Sequence, residues 1–386
     1  MRRIMLVLVL VAGLTGVIWY ILTPATGLRY FISQTWPGLI PDDEVLVTDN
    51  ASGIAGAELF QFDERGRLKY SHAAWTVPLN DPDWRASADA DHMSPDDWML
   101  GLYFHGKSWA IPSWIIKNHH VANLTLDGQP VAIAFCEKCS SGLALDPVVN
   151  GRRLTFHITG VYNGSILISD YETKSYWTPF IGEALEGPLK GATMKHLQLI
   201  QCRWRDWLHV HPEGLVAYGA QNLRKGHGDY HTFGDDDAGF VRFLRKPLDK
   251  RLRFNELVLG VTTGSEARAY PLSILDALSD GDQKNVVVND TLGSEDIVIL
   301  HQRGSWLTTV FSRRLGEKTL QFVVEEDGSF VDSIYHSRWN YQGEALDNPI
   351  AGQRLTYITS RVEKWYIWPA YYPTTSIFGN TSAKAD

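Results

Sequence analysis

The longest hydrophobic pattern in the chain comes first. Ile4 to Leu22 carries no charge, is interrupted only by small residues and Thr15, and follows Arg2 and Arg3. At 1.5 Å per residue the run reaches roughly 28 Å, about the thickness of a bilayer's hydrocarbon. It predicts a transmembrane anchor at residues 4–22, with residues 1–3 cytoplasmic because the positive flank stays inside. A cleaved signal peptide would have a shorter apolar core and an A-x-A site after it, so the expectation is an uncleaved anchor. The bulk of the chain is then extracytoplasmic, periplasmic behind an inner membrane, and the membrane is its one expected partner.

Beyond the anchor the apolar runs are short and closed by turn residues, a strand pattern. Residues 23–97 read as a tether followed by short strands, among them Val45 to Thr48 and Glu58 to Phe62, and by an acidic loop from Asp89 to Asp97. Further strands are predicted at Val131 to Phe135, Leu154 to Ile158, Ser165 to Asp170, Val286 to Val288, Asp296 to Leu300 and Leu320 to Val324. Asn150-Gly151 and Asp327-Gly328 are hairpin turn signals. Helix is scarce. The predicted class is α+β and strand-dominated.

The pattern also repeats. Met99-Leu100-Gly101-Leu102 is echoed by Val258-Leu259-Gly260-Val261, and a proline, Pro112 or Pro271, follows each glycine at the same distance and opens an amphipathic stretch. Asp170 to Trp177 is echoed by Asp332 to Trp339, and Gly182-Glu183-Ala184-Leu185 by Gly343-Glu344-Ala345-Leu346. Both series close on W-x-x-W-x-x-x-x-P, at Trp204 to Pro212 and Trp365 to Pro373. The expected organisation is a first repeat at 98–219, a polar connector at 220–256, a second repeat at 257–379 and a tail at 380–386.

Composition narrows the function classes. A net charge of −8 opposes a nucleic-acid surface, which needs clustered basic residues. No G-x-S-x-G, H-E-x-x-H or phosphate loop is present. Two of the three cysteines, Cys136 and Cys139, form a Cys-x-x-Cys pair after the strand Val131 to Phe135, and the second repeat has no counterpart. Such a pair holds a soft metal, cycles between dithiol and disulfide, or braces a turn. The segment Ser140 to Pro147 contains Gly142 and ends in Pro, so it reads as a turn into a strand rather than the helix of a thioredoxin-like site.

These residues resemble a bacterial family, domain of unknown function 3179. The resemblance rests on Met99 to Leu102, Ala110 to Pro112, His119 to Asn123, Cys136 with Cys139, Asp170 to Trp177, and Gly182 to Gly191. It implies an exported or membrane-attached protein and supplies no activity. His120 and Leu124 depart from the family pattern, which has acidic residues at both places. At the family's His position, His119 becomes the third expected metal ligand beside Cys136 and Cys139, for copper or zinc. His120, Asp170, Trp177, Trp204, Trp207 and His211 are the expected surroundings of the site or of a ring-lined ligand pocket. Asp170 also reads as a fold brace, since Asp332 matches it, and the paired tryptophans read as one face of a closing helix. Binding of a ligand or soft metal is the leading expectation; thiol–disulfide exchange and a bracing disulfide are the alternatives.

Overall fold

The computed structural model describes residues 48–49, 54, 57–60, 77–117, 119–219, 241–279 and 281–379. The expected anchor lies outside these residues, as do most of the tether and much of the connector. Among the described residues no helix is long and apolar enough to cross a membrane.

The fold is strand-dominated. Among the described residues α-helix is confined to four short segments, Ser113–Ile116, Trp204–Val210, Leu272–Ala277 and Trp368–Tyr371. Pro112 and Pro271 end the strands Lys107–Pro112 and Glu266–Pro271 and stand at the N-caps of the helices that follow, with φ of −57° and −56°. A ring that fixes φ and offers no N–H is suited to the place where a ladder stops and a helix starts.

In the first half, Ile200–Arg203, Trp98–Phe104, Lys107–Pro112, Leu215–Tyr218 and Asp83–Ala86 lie side by side in one sheet. In the second, Ser360–Lys364, Leu257–Thr263, Glu266–Pro271 and Ser376–Ile377 follow the same order, and in both sheets the third and fourth strands pair in parallel. Strands before residue 98 thus belong to the first half's sheets: Asp83–Ala86 pairs with Leu215–Tyr218, and Leu79–Asn80 with the start of Val121–Leu126.

The strand Gln129–Cys136 shows why its sequence is continuously apolar rather than alternating. Ala132, Ala134 and Cys136 face one core, whereas Val131, Ile133 and Phe135 face another. A strand covered on both sides has no polar face to display. Its neighbours Val121–Leu126 and Ser141–Leu145 complete the sheet around it. Asn150 and Gly151 both take positive φ, 51° and 76°, between Val148–Val149 and Arg152–Arg153, as a two-residue primed hairpin turn requires.

Cores cross the halves. One joins Cys136, Cys139, Phe156, Ile166 and Trp177 to Val258, Ala269, Trp365 and Trp368. Another joins Met99, Cys202, Trp204 and Trp207 to Leu300, Phe311 and Trp339.

Candidate functional site at the cysteine turn

Cys136 ends one strand and pairs across the ladder with Ser141, which starts the next. Between them the chain turns through residues 137–140, closed by Ser140 N–H donating to the Glu137 carbonyl at 3.1 Å. Cys136 and Cys139 are joined as a disulfide, and both are buried. The Cys139 backbone N–H donates to Cys136 Sγ at 3.3 Å. Cys139 Sγ lies 3.5 Å from the Gly164 carbonyl oxygen and 3.7 Å from Ser165 Oγ.

The turn is held from two further strands. Gln201 grips it with both ends of its amide: Nε2 donates to the Ser140 carbonyl at 2.9 Å, and Oε1 accepts from the Gly142 N–H. A Cβ at Gly142 would come within 2.9 Å of that oxygen, so glycine is what lets the grip form. From the second half, Lys364 N–H donates to the Cys139 carbonyl at 3.0 Å. Ser140 takes φ +54°, a left-handed conformation that costs energy for a residue with a side chain and persists where its surroundings dictate it.

On the same second-half strand sit Arg361 and Glu363, 5% and 0% exposed. Arg361 Nε donates to Glu363 Oε2 at 3.1 Å, and Ser141 Oγ donates to the same oxygen at 3.4 Å. Arg361 Nη2 and Glu363 Oε1 are buried without a hydrogen-bond partner. Burial pushes the Glu363 carboxyl up to about 7, against the pull of Arg361. The Arg361 guanidinium lies 3.8 Å from the Phe180 ring centroid and 5.2 Å from that of Trp368. Nearby, His196 is lowered to about 4, first by burial and then by Arg361. Its Nε2 is 3.1 Å from the Pro179 carbonyl.

The residues expected from sequence are distributed around more than one place. His119 points its Nδ1 at the Val77 carbonyl, 2.7 Å away. His120 Nδ1 lies 3.3 Å from the carbonyl of Phe135, beside the cysteine strand, and loss of solvent lowers the ring's pKa. Among the described residues no three His, Cys, Asp or Glu side chains are grouped to hold a metal ion. Trp177 shares the cysteines' core. Asp170, fully buried, accepts bonds from Ser175 N–H at 3.2 Å, Thr173 Oγ1 at 2.8 Å and Trp177 Nε1 at 2.9 Å. Asp332 does the same for Ser337 N–H and Trp339 Nε1, at 3.1 and 3.0 Å, so the motif braces a turn in both halves. Trp204, Trp207 and His211 belong to the other junction. Trp207 covers Gly101, and His211 Nε2 meets Gln342 Nε2 at 2.7 Å, with its pKa lowered to about 4 by burial.

Gln201, Arg361 and Glu363 escaped the sequence reading, although a signal for the last two exists. Counting back from Trp204 and Trp365 sets Glu363 opposite Cys202 and Arg361 opposite Ile200. A charged pair in one half, where the other half carries buried apolar groups, marks a place where the two differ.

The linked motifs spread over both halves are those of one family model. The model described as protein of unknown function (DUF3179) matches residues 77–375. The chain belongs to the DUF3179 family. No curated protein and no solved structure matches it. The match begins just before the strand Leu79–Asn80 and takes in both the cysteine turn and the Arg361–Glu363 strand. In this DUF3179 chain the centre is therefore assembled from both ends of the family region.

Proposed function

We propose that this DUF3179 protein is a membrane-anchored, extracytoplasmic thiol–disulfide module built from a duplicated unit, with Cys136 and Cys139 as its couple. The carrying observation is the Cys139 N–H directed at Cys136 Sγ. A backbone donor on a sulfur favours the thiolate, the reactive form, and an exported compartment permits both redox states. A thiolate of a dithiol substrate attacks Cys136 Sγ, and the Cys136–Cys139 bond breaks with Cys139 leaving as thiolate. The substrate's second thiolate then attacks the mixed disulfide and releases Cys136. The substrate loses two electrons to become a disulfide, and the protein gains them as a dithiol. Duplication is supported by the matching sheet orders, the paired Asp170 and Asp332 turns, and the paired Gly101–Trp207 and Gly260–Trp368 contacts.

Burial of both sulfurs favours a second reading, a disulfide that only braces the turn. The soft-metal reading needs the reduced pair and a third donor, and His119 is engaged elsewhere. One experiment separates the three. The full-length protein is equilibrated with dithiol and disulfide buffers, free thiols are counted by alkylation, and the reduced form is assayed for copper and zinc. Reversible two-thiol titration, lost in Cys136→Ser and kept in Cys202→Ser, supports exchange. A bond that resists native-state reduction overturns exchange in favour of bracing. One equivalent of metal on the reduced pair supports the metal reading.

A further inference from the structure

The two sulfurs of the couple have different surroundings. Cys136 Sγ has the Cys139 backbone N–H beside it. Cys139 Sγ faces the hairpin that joins the strands Phe156–Tyr162 and Ser165–Asp170. Asn163 and Gly164 form the tip of that hairpin, with φ of 47° and 83°. The tip brings two oxygens to the sulfur, the Gly164 carbonyl at 3.5 Å and Ser165 Oγ at 3.7 Å. It is fixed from the connector and the second half. Asn163 Oδ1 accepts from the Arg245 N–H at 3.1 Å, and Asn163 Nδ2 donates to the Ala370 carbonyl at 3.0 Å. Tyr366 Oη donates to the Gly164 carbonyl at 3.2 Å. Ser165 is 1% exposed, so its hydroxyl has no bulk water to turn to. A buried hydroxyl needs a partner, and among the described residues the one in reach is Cys139 Sγ.

We infer that Ser165 is the hydroxyl that receives Cys139 when it leaves as a thiolate. The inference rests on the exchange reading above. In the disulfide the Cys139 sulfur is uncharged and a weak acceptor. A substrate thiolate bonds to Cys136 Sγ, the Cys136–Cys139 bond breaks, and its electron pair stays on Cys139. The Ser165 O–H then donates to a full negative charge, the stronger kind of hydrogen bond. No proton has to move in this step. Because the bond strengthens as the charge develops, it speeds the opening as well as stabilising the reduced form. The substrate's second thiolate completes the exchange and supplies the electrons. The Gly164 carbonyl acts in the opposite sense, since it can accept from the S–H of a neutral thiol but offers nothing to a thiolate. In an apolar core an unpaired charge is costly, so the hydroxyl is what makes the charged form accessible.

The charged and titratable groups around the turn reach other atoms. Glu137 and Lys138 belong to the turn itself, and Lys117 lies 3.9 Å from Glu137. His120 faces the Phe135 carbonyl, and Tyr366 the Gly164 carbonyl. On the second-half strand, Lys364 bonds the Cys139 carbonyl through its backbone N–H, and Glu363 meets Ser141 and Arg361. The contact with Cys139 Sγ thus falls to Ser165, as the contact with Cys136 Sγ falls to a backbone N–H.

The test compares full-length wild type with Ser165→Ala and Ser165→Val, which lack the hydroxyl, and Ser165→Thr, which keeps it in the shape of Val. Near-ultraviolet circular dichroism checks that each variant is folded. Two quantities are read: the equilibrium of the couple with glutathione buffers, from alkylated thiols, and the ultraviolet absorbance of the thiolates against pH. Cys202 ionises later than an ordinary thiol, because burial raises its pKa. At pH values where Cys139 is ionised, Ser165→Ala and Ser165→Val are each expected to shift the equilibrium about tenfold toward the disulfide, or about 30 mV. One thiolate step of the pair should move up by about one pH unit in both. At pH values where both thiols are protonated, the variants should match wild type. Ser165→Thr is expected to follow wild type throughout. A shift of equal size at every pH, or none in either hydroxyl-free variant, overturns the role of Ser165 and leaves the exchange reading in place. A disulfide that cannot be reduced in the folded protein overturns both.

Discussion

Asp170 and Glu363 are both buried carboxylates, and their surroundings give them different work. Asp170 is surrounded by donors. Removing it strands the Ser175 N–H and Trp177 Nε1, and a lost buried acceptor of this kind costs about 3 kcal/mol or more. Asp170→Ala is therefore expected to lower the urea midpoint strongly, and Asp332→Ala to do the same; an unchanged midpoint in Asp170→Ala would contradict the bracing role. Glu363 is instead under-supplied, with its carboxyl up at about 7 against an ordinary value of 4.5. Between those pH values the unfolded chain has released the proton and the folded chain still holds it. Stability from this group is complete below about pH 4.5, falls as pH rises through about 7, and is level above. In Glu363→Gln the fall is absent, a difference on the order of 3 kcal/mol across the window. Urea unfolding of both proteins at about pH 5 and pH 8 measures it, and equal pH dependence in the two would refute the assignment. The Asp170 motif was readable because its partners lie within seven residues of it. The site of Glu363 was not, because its partner Ser141 is 222 residues away in the chain.

At the scale of elements, the repeated glycine in Met99–Leu102 and Val258–Val261 has a spatial reason. A Cβ on Gly101 would collide with the ring of Trp207, and one on Gly260 with the ring of Trp368. Each short helix is seated by its tryptophan on the bare backbone of the central strand. Gly101→Ala and Gly260→Ala should each destabilise the protein by at least about 2 kcal/mol through overpacking. Thermal melts of the two variants check this, and a neutral Gly260→Ala would mean that the helix Trp368–Tyr371 can lift without cost. The sequence shows the glycine and the tryptophans, but their contact depends on how the helix folds back over the strand. Hairpins, by contrast, are legible in advance: Asn150-Gly151 and the runs flanking Asp327-Gly328 emerge as expected because turn geometry is local.

At the scale of the molecule, the two halves are not independent. Cores containing Cys136 and Trp177 from one half and Trp365 and Trp368 from the other leave neither half a complete interior. The second junction is likewise shared: Asp206 of the first half accepts from Gln302 Nε2 at 3.2 Å and Ser305 Oγ at 2.8 Å in the second. Denaturant unfolding is therefore expected as one transition. Tryptophan fluorescence and hydrogen exchange at Val131–Phe135 and Ile297–Leu300 should report the same midpoint. Two separated midpoints would show that each half holds its own fold.

The sequence by itself determined the strand-dominated class, the local turns and helix starts, and the family, because each rests on periodicity or on residues close together in the chain. It also singled out Cys136 and Cys139 as a feature of one half. Only the tertiary structure decided what those cysteines face. Gln201, Glu363 and Lys364 reach the turn from strands that carry no mark of their destination, since a strand's alternation tells which residues are buried but not against what. The polar centre is a product of packing the two halves together, so it becomes visible where they touch.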